Sequence, residues 1–203
     1  MKKLFCIIGR SCSGKTSLSR LLAKELNLKI AKSYTTRPMR PGENEDDSDH
    51  YFINEDEAWL YRNQIIAKTK INGYSYFTTL NSLMNSDICV IDPNGYRILS
   101  NNLSKLHIKI KLIPIYIKVP EAELFERARH RGDCTTFYRL RYESEHEQFD
   151  VFEKSLIHTG FPVVHNVDFY RSIDRLKKII FPYLSLKKKI QIIIKKLKKK
   201  GSR

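Results

Sequence analysis

Gly9-Arg10-Ser11-Cys12-Ser13-Gly14-Lys15-Thr16 decides the fold. Its spacing is that of a Walker A phosphate loop, and the flanking residues supply the context such a loop needs. Leu4-Phe5-Cys6-Ile7-Ile8 before it reads as a buried strand. Ser17 to Leu26 after it reads as a helix, with Leu18, Leu21, Leu22 and Leu26 at helical spacing. The glycines let backbone N–H groups turn inward around phosphate oxygens, and the helix N-terminus adds partial positive charge. In that arrangement Lys15 reaches the β- and γ-phosphates and the Thr16 hydroxyl holds Mg²⁺. Average residue usage produces such a string by chance in on the order of one in a hundred chains this long.

Outward from the loop, apolar strands alternate with helical patterns. Lys29 to Ser33 reads as a second strand, running into the proline-stiffened loop Tyr34 to Glu43 and an acidic patch, Glu43 to Asp49. His50 to Ile53 is a short strand. Asn54 with Glu57 three residues on reads as a capping box. Ile65 to Ile71 and Tyr74 to Phe77 flank Asn72-Gly73, a hairpin signal. Ile88 to Ile91 is a buried strand ending at Asp92, and a helix follows Gly95. Leu112 to Val119 is a strand weakened by Pro114. One helix runs from Pro120 to about Arg131, a longer one from Thr136 to about Lys154. Val163 to Asn166 is a last strand and Ile173 to Ile180 a closing helix. The expected fold is α/β: a P-loop parallel sheet with helices on both faces, a small β-rich insertion over residues 35–79 and a helical lid over 127–141.

At 203 residues and 41% hydrophobic, the chain can bury one good core. Four cysteines form neither a metal-like pair nor a disulfide framework, which suits a reducing cytoplasm, the expected location. No apolar run approaches transmembrane length. Of the net charge of +15, nine basic residues and no acid lie from Leu184 onward, so the body carries only a modest positive excess. The sequence pI of 9.7 alone does not make a nucleic-acid binder, because the core lacks an aromatic–basic stripe.

Phosphoryl transfer requires held phosphates, Mg²⁺ and cations that stabilise charge spreading over the transferred group. Asp92, at a buried strand end, fits a carboxylate that orients Mg²⁺ through its water shell. Arg127, Arg129 and Arg131, then Gly132, Arg139 and Arg141, are rich in arginine where lysine dominates elsewhere, and arginine is the better phosphate fork. Arg127 and Arg131 lie one helical turn apart and can converge on one nucleotide. Arg37 and Arg40 flank Pro38 beyond a strand's carboxyl end, where doubly wound sheets bind ligands.

These residues together resemble the guanylate kinase family of nucleoside monophosphate kinases, over about residues 4 to 181. The most specific piece is Ser33 to Glu43, a Ser-x-Thr-Thr-Arg-Pro-x-Arg-x-Gly-Glu pattern. The resemblance implies a domain over residues 1–183 that uses ATP and Mg²⁺. It implies that Gly9 to Thr16 and Asn166 hold ATP, with Asn166 on the adenine. It implies that Ser33, Arg37, Arg40, Tyr76, Thr78 and Asp92 line the acceptor site. A family tyrosine appears here as His50, with Tyr51 as the alternative after a one-residue slip. Lys15, Arg37, Arg127, Arg131 and Arg139 are then the catalytic cations, and Thr16 and Asp92 the metal-side residues. Two family acids that read guanine fall on Ala67 and Val90, neither of which accepts a hydrogen bond; Thr69 or Lys68 are the polar candidates nearby. Phosphate handling is kept and base reading is altered.

The expected activity is ATP-dependent phosphoryl transfer to a nucleoside monophosphate, GMP or dGMP or a relaxed range. Ribose 1,5-bisphosphate as acceptor, or a non-catalytic binding module, are the alternatives. Residues 184–203 form a basic amphipathic tail. Leu186, Ile190, Ile193, Ile194 and Leu197 fall on one helical stripe, which meets an anionic membrane or nucleic acid, or else lies on the core.

Overall fold

The computed structural model describes residues 1–40, 42–45 and 48–200, the last six by backbone alone. Pro41, Asp46, Asp47 and the Leu197 side chain, read above as parts of the loop, the acidic patch and the stripe, lie outside the described residues.

Strand β1 (Lys2–Gly9) leads into the phosphate loop and helix α1 (Lys15–Leu26). Then come β2 (Ser33–Thr35), β3 (His50–Phe52), α2 (Glu55–Leu60), β4 (Ile65–Ile71), β5 (Tyr74–Thr79) and α3 (Leu80–Met84). The α/β alternation resumes with β6 (Ile88–Ile91), α4 (Pro93–Lys105), β7 (Ile110–Lys118), α5 (Glu121–His130), α6 (Thr135–Thr159), β8 (Val163–His165) and α7 (Phe169–Ile180). A 3₁₀ turn, Phe181–Tyr183, precedes α8 (Leu186–Lys200).

The main sheet has the order β6-β1-β7-β8, every pair parallel. Strand side chains alternate between faces, so β1 serves two cores at once. Phe5 and Ile7 pack with Leu18, Leu22, Ile173 and Leu176 on one side. Leu4, Cys6 and Ile8 pack with Leu99, Leu103 and Phe149 on the other. Burial on both faces explains the continuous apolar run that flagged the strand. Pro114 sits within β7 opposite Cys6. Tyr116 N–H donates to Pro162 O, and residue 114 looks the same way two positions earlier. There β8 has not yet begun, so the N–H that proline lacks has no ladder to serve.

A second sheet, β3-β2-β5-β4, is built from residues 33–79. Asn54 closes its capping box in both directions at 2.8 Å, and Asn72 and Gly73 both take the positive φ of the hairpin turn. The expected strand at Lys29–Ser33 is corrected. Only Ile30 bridges the main sheet, to Ile88, because the chain then peels away to pair Ser33–Thr35 with β3 and β5.

Helix α8 separates the two readings of the tail. Ile192 is its buried contact with the core, while Leu186, Ile190, Ile193 and Ile194 are exposed. The apolar stripe therefore does not lie on the core. Among the described residues, no helix is long and apolar enough to cross a membrane.

Candidate active site

The carboxyl ends of β1, β6 and β8 and the face of the second sheet enclose a cleft of about 600 Å³. Gly9, Ser11, Cys12, Gly14, Lys15 and Thr16 line it from the phosphate loop. Gly14 has φ +84°, and a Cβ there would meet Asn166 Nδ2 at 2.5 Å. Only glycine lets the loop pass this close. Asn166 holds that packing: its Nδ2 donates to Ser13 O at 2.8 Å, and its own backbone O accepts from Arg127 Nη2 at 2.7 Å. Its Oδ1 is buried with no protein partner.

Lys15 Nζ donates to Arg10 O at 2.6 Å, across the mouth of its own loop. Burial, opposed by the Glu145 carboxylate and aided by the Arg141 charge, lowers the Lys15 pKa from an ordinary 10.5 to about 8. A free-enzyme group titrating there limits kcat/KM on the alkaline side. We expect kcat/KM for ATP to be level up to about pH 8 and to fall above it as Lys15 loses its proton. The kcat limb lies higher, because bound phosphates favour the ammonium form. A pH–rate profile checks this, and a kcat/KM flat to about pH 10 contradicts it.

Asp92 caps α4, with Gly95 N–H donating to its Oδ1 at 2.9 Å and the Thr69 hydroxyl donating to its Oδ2 at 3.1 Å. Thr16 lines the same cleft. A hydroxyl and one carboxylate with oxygen lone pairs to spare are a donor set that fits Mg²⁺, which keeps most of its waters and shares phosphate oxygens. Among the described residues, no three His, Cys, Asp or Glu side chains gather into a metal cage.

Opposite the loop stand Ser33, Arg37, Arg40, His50, Tyr76 and Thr78. Arg37 is gripped by Glu43 through two bonds, at 2.7 and 2.8 Å, and its Nε is buried without a partner. That fork holds Glu43 at a pKa of about 2, with burial opposing. Glu43 Oε2 also accepts the Arg40 N–H at 3.0 Å, which fixes the loop carrying both arginines. Arg40 is held below its usual pKa, by burial first and then by the charges of Arg37, Arg131 and Arg141. All four arginines line the cleft, Arg37 and Arg40 after β2, Arg131 at the end of α5 and Arg141 on α6, where Arg37 pairs with Glu43, Arg131 with Asp133 and Arg141 with Glu145. Such a cluster is built for an anion. His50 Nδ1 lies 2.7 Å from the Ser33 hydroxyl, and burial followed by the Arg37 charge lowers its pKa to about 4, so it is neutral at pH 7.

Four expected residues stand elsewhere. Arg10 turns its side chain out of the cleft, pairing with Asp150 at 3.2 Å between the rings of Tyr142 and Phe149. It braces the loop against α6 and serves the cleft through its backbone. Ser13 is buried behind the loop, its hydroxyl without a protein partner. Tyr51 is on the outer side of β3, its ring tilted against that of Tyr34, because neighbours on a strand face opposite ways. The site therefore takes His50 and not its neighbour. Arg139 lies outside the cleft with its guanidinium over the Phe125 ring, 5.6 Å from the centroid. Arg141 enters instead, paired to Glu145 at 2.8 Å. Residues two apart on a helix point about 200° away from each other, so only one of the two can face inward. The signal was in the sequence: Tyr138, Arg141, Glu145 and Phe149 share one face at spacings of three and four.

At the altered positions, Ala67 and Val90 both line the cleft, as do Lys68 and Thr69. Thr69 has Ala67's side of the strand, while the Lys68 position is exposed.

A phosphate loop at the end of a parallel strand, facing several arginines across a cleft, is the arrangement of a P-loop phosphotransferase. A family model described as "Guanylate kinase" matches residues 1–183. The chain is 34% identical over 141 residues to the guanylate kinase of Thermotoga maritima, a match spanning 64% of each chain. It is 33% identical over 160 residues to that of Blochmanniella floridana, covering 70% of this chain and 73% of the relative. The crystal structure of guanylate kinase from Anaplasma phagocytophilum shares the fold, with a TM-score of 0.63, 21% identity and coverage of 90% and 86%. The chain belongs to the guanylate kinase family and is a kinase.

Proposed function

We propose that this kinase transfers the γ-phosphoryl group of ATP to nucleoside monophosphates with a relaxed choice of base. The observation that carries the reading is a contrast within one cleft. Arg37, Arg40, Arg131 and Arg141 line the same cleft as the phosphate loop, and the charges of the other three bear on Arg40. The wall beyond it offers the base Ala67 and Val90, which have no polar side-chain atom.

Each residue has a role in that reading. Lys15 exchanges the Arg10 carbonyl for the outer phosphates of ATP, and the loop N–H groups hold the rest. Ser33, Arg37 and Arg40 hold the acceptor's phosphate. Arg127, Arg131 and Arg141 close from the lid and offset the charge that spreads over the group in flight. Thr16 and Asp92 would hold Mg²⁺, whose positive charge would offset that of the phosphates. Thr69, which donates to Asp92, and Lys68 are polar groups on the same strand that can meet a base or ribose edge.

A site built to hydrogen-bond a base rejects bases that lack the match by about 10⁴ or more, because its own polar groups are left unpaired. Removing those groups removes that penalty. The expected result in a coupled ADP-release assay is turnover with several of GMP, dGMP, AMP, CMP, UMP and dTMP, with kcat/KM ratios well under 10⁴. Ala67→Glu should then raise the GMP-to-AMP ratio at least about tenfold, by restoring an acceptor for the guanine N–H groups. GMP selectivity near 10⁴ in the unchanged protein overturns relaxed reading. Turnover confined to ribose 1,5-bisphosphate overturns the nucleotide acceptor.

A further inference from the structure

Helix α8 carries two faces that do different things. Lys188 donates to Asp87 at 2.8 Å, Lys189 lies over the Phe181 ring at 5.5 Å, and Ile192 is 5% exposed against the core. At about 100° per residue these three share one side of the helix, the side that docks. Leu186, Ile190, Ile193 and Ile194 fall well around the helix from Ile192, and their exposures are 74, 48, 49 and 46%. Four aliphatic side chains on the outer face keep about half or more of their surface in water. An exposed apolar stripe of that kind marks a surface that meets something else.

Charge selects the occupant. From Leu184 onward there are nine basic residues and no acidic one. A second copy of the helix would bring like charges together along the seam. Nucleic acid would engage the lysines and leave the aliphatic stripe in water. An anionic bilayer satisfies both: aliphatic side chains enter the boundary between headgroups and acyl chains, and lysines sit among lipid phosphates. We infer that α8 docks this kinase onto anionic membrane surfaces, lying in the interface without crossing it.

The fold leaves room for this. Lys3, near the start of β1, donates to Tyr183 O at 2.8 Å, and Asp87, just before β6, holds Lys188. Helix α8 is therefore at the amino ends of the parallel strands, whereas the cleft lies at their carboxyl ends. A bilayer beneath α8 leaves the cleft open.

The test is flotation of the full chain with vesicles of phosphatidylcholine, alone or mixed with phosphatidylglycerol. Binding should be at least about tenfold greater to the mixed vesicles and should weaken in high salt, as expected for an interfacial helix drawn to anionic lipid. The triple variant Ile190→Ser, Ile193→Ser, Ile194→Ser keeps every lysine and the buried Ile192. It should lose about tenfold or more of the binding while its kinase activity stays at the parent value. The double variant Leu186→Ser, Ile190→Ser, with two stripe residues left, should fall between. Flotation equal to the parent in the triple variant, equal binding to both lipids, or no flotation each overturns the proposal. So does a dimer in light scattering that the triple variant abolishes, which would give the face to a second copy. Duplex DNA binding that is retained by the triple variant, with no vesicle binding, overturns it too.

Discussion

Lys15→Ala is expected to lower kcat by about 10³ or more with any acceptor and to leave the fold in place. The size follows from removing one preorganised charge aimed at the transferring group. Stability should hold or rise. Burial depresses the Lys15 pKa to about 8, so at neutral pH the charged form is disfavoured in the folded protein relative to the unfolded chain. Deleting the side chain removes that disadvantage and one hydrogen bond to Arg10 O. The Arg141–Glu145 pair beside it keeps both members. Steady-state kinetics with thermal unfolding separate the two quantities. Wild-type turnover in the folded variant would show that the loop does not act on the phosphates.

The second large effect concerns the lid. Arg131→Ala and Arg141→Ala should each lower kcat by about 10³, the scale of a cation that acts on the phosphoryl group in the transition state. Arg139→Ala should stay within about threefold, because its guanidinium lies on the Phe125 ring and outside the cleft. Arg141→Ala also strands the buried Glu145, which costs on the order of 3 kcal/mol of stability. Arg141→Lys keeps a cation there and should recover stability, yet not rate, because an ammonium lacks the planar fork. A change confined to KM would assign either arginine to ground-state binding. A large loss in Arg139→Ala would mean that the lid faces the other way.

These predictions divide along the line between what was legible in the chain and what was not. The phosphate loop, the capping box and the Asn72-Gly73 hairpin are local devices. Each is set by a few adjacent residues, and each is found where its residues stand. Facing is a different kind of fact. Whether His50 or Tyr51, and Arg139 or Arg141, meets the cleft depends on the phase of a strand or helix, and a shift of one or two residues reverses it. For α6 the buried row through Tyr138, Glu145 and Phe149 fixes the phase, though only once that row is taken as the inner face. Long-range competition is harder still. Lys29 to Ser33 has the apolar content of a strand, but the main sheet keeps only Ile30, since Ser33–Thr35 finds partners on both sides in the second sheet. In α8 the periodic stripe was plain to see, yet among the described residues it is Ile192, off that stripe, that is buried against the core.

The account rests on phosphoryl transfer from ATP to the phosphate of a nucleoside monophosphate. Phosphorus-31 NMR of the full chain with ATP, Mg²⁺ and a mixture of nucleoside monophosphates reads that step directly. The predicted result is loss of the monophosphate singlets and growth of paired nucleoside diphosphate doublets as the ATP γ signal falls, all of it absent with Lys15→Ala. Monophosphate singlets that persist unchanged, with ATP intact or yielding only inorganic phosphate, would contradict it.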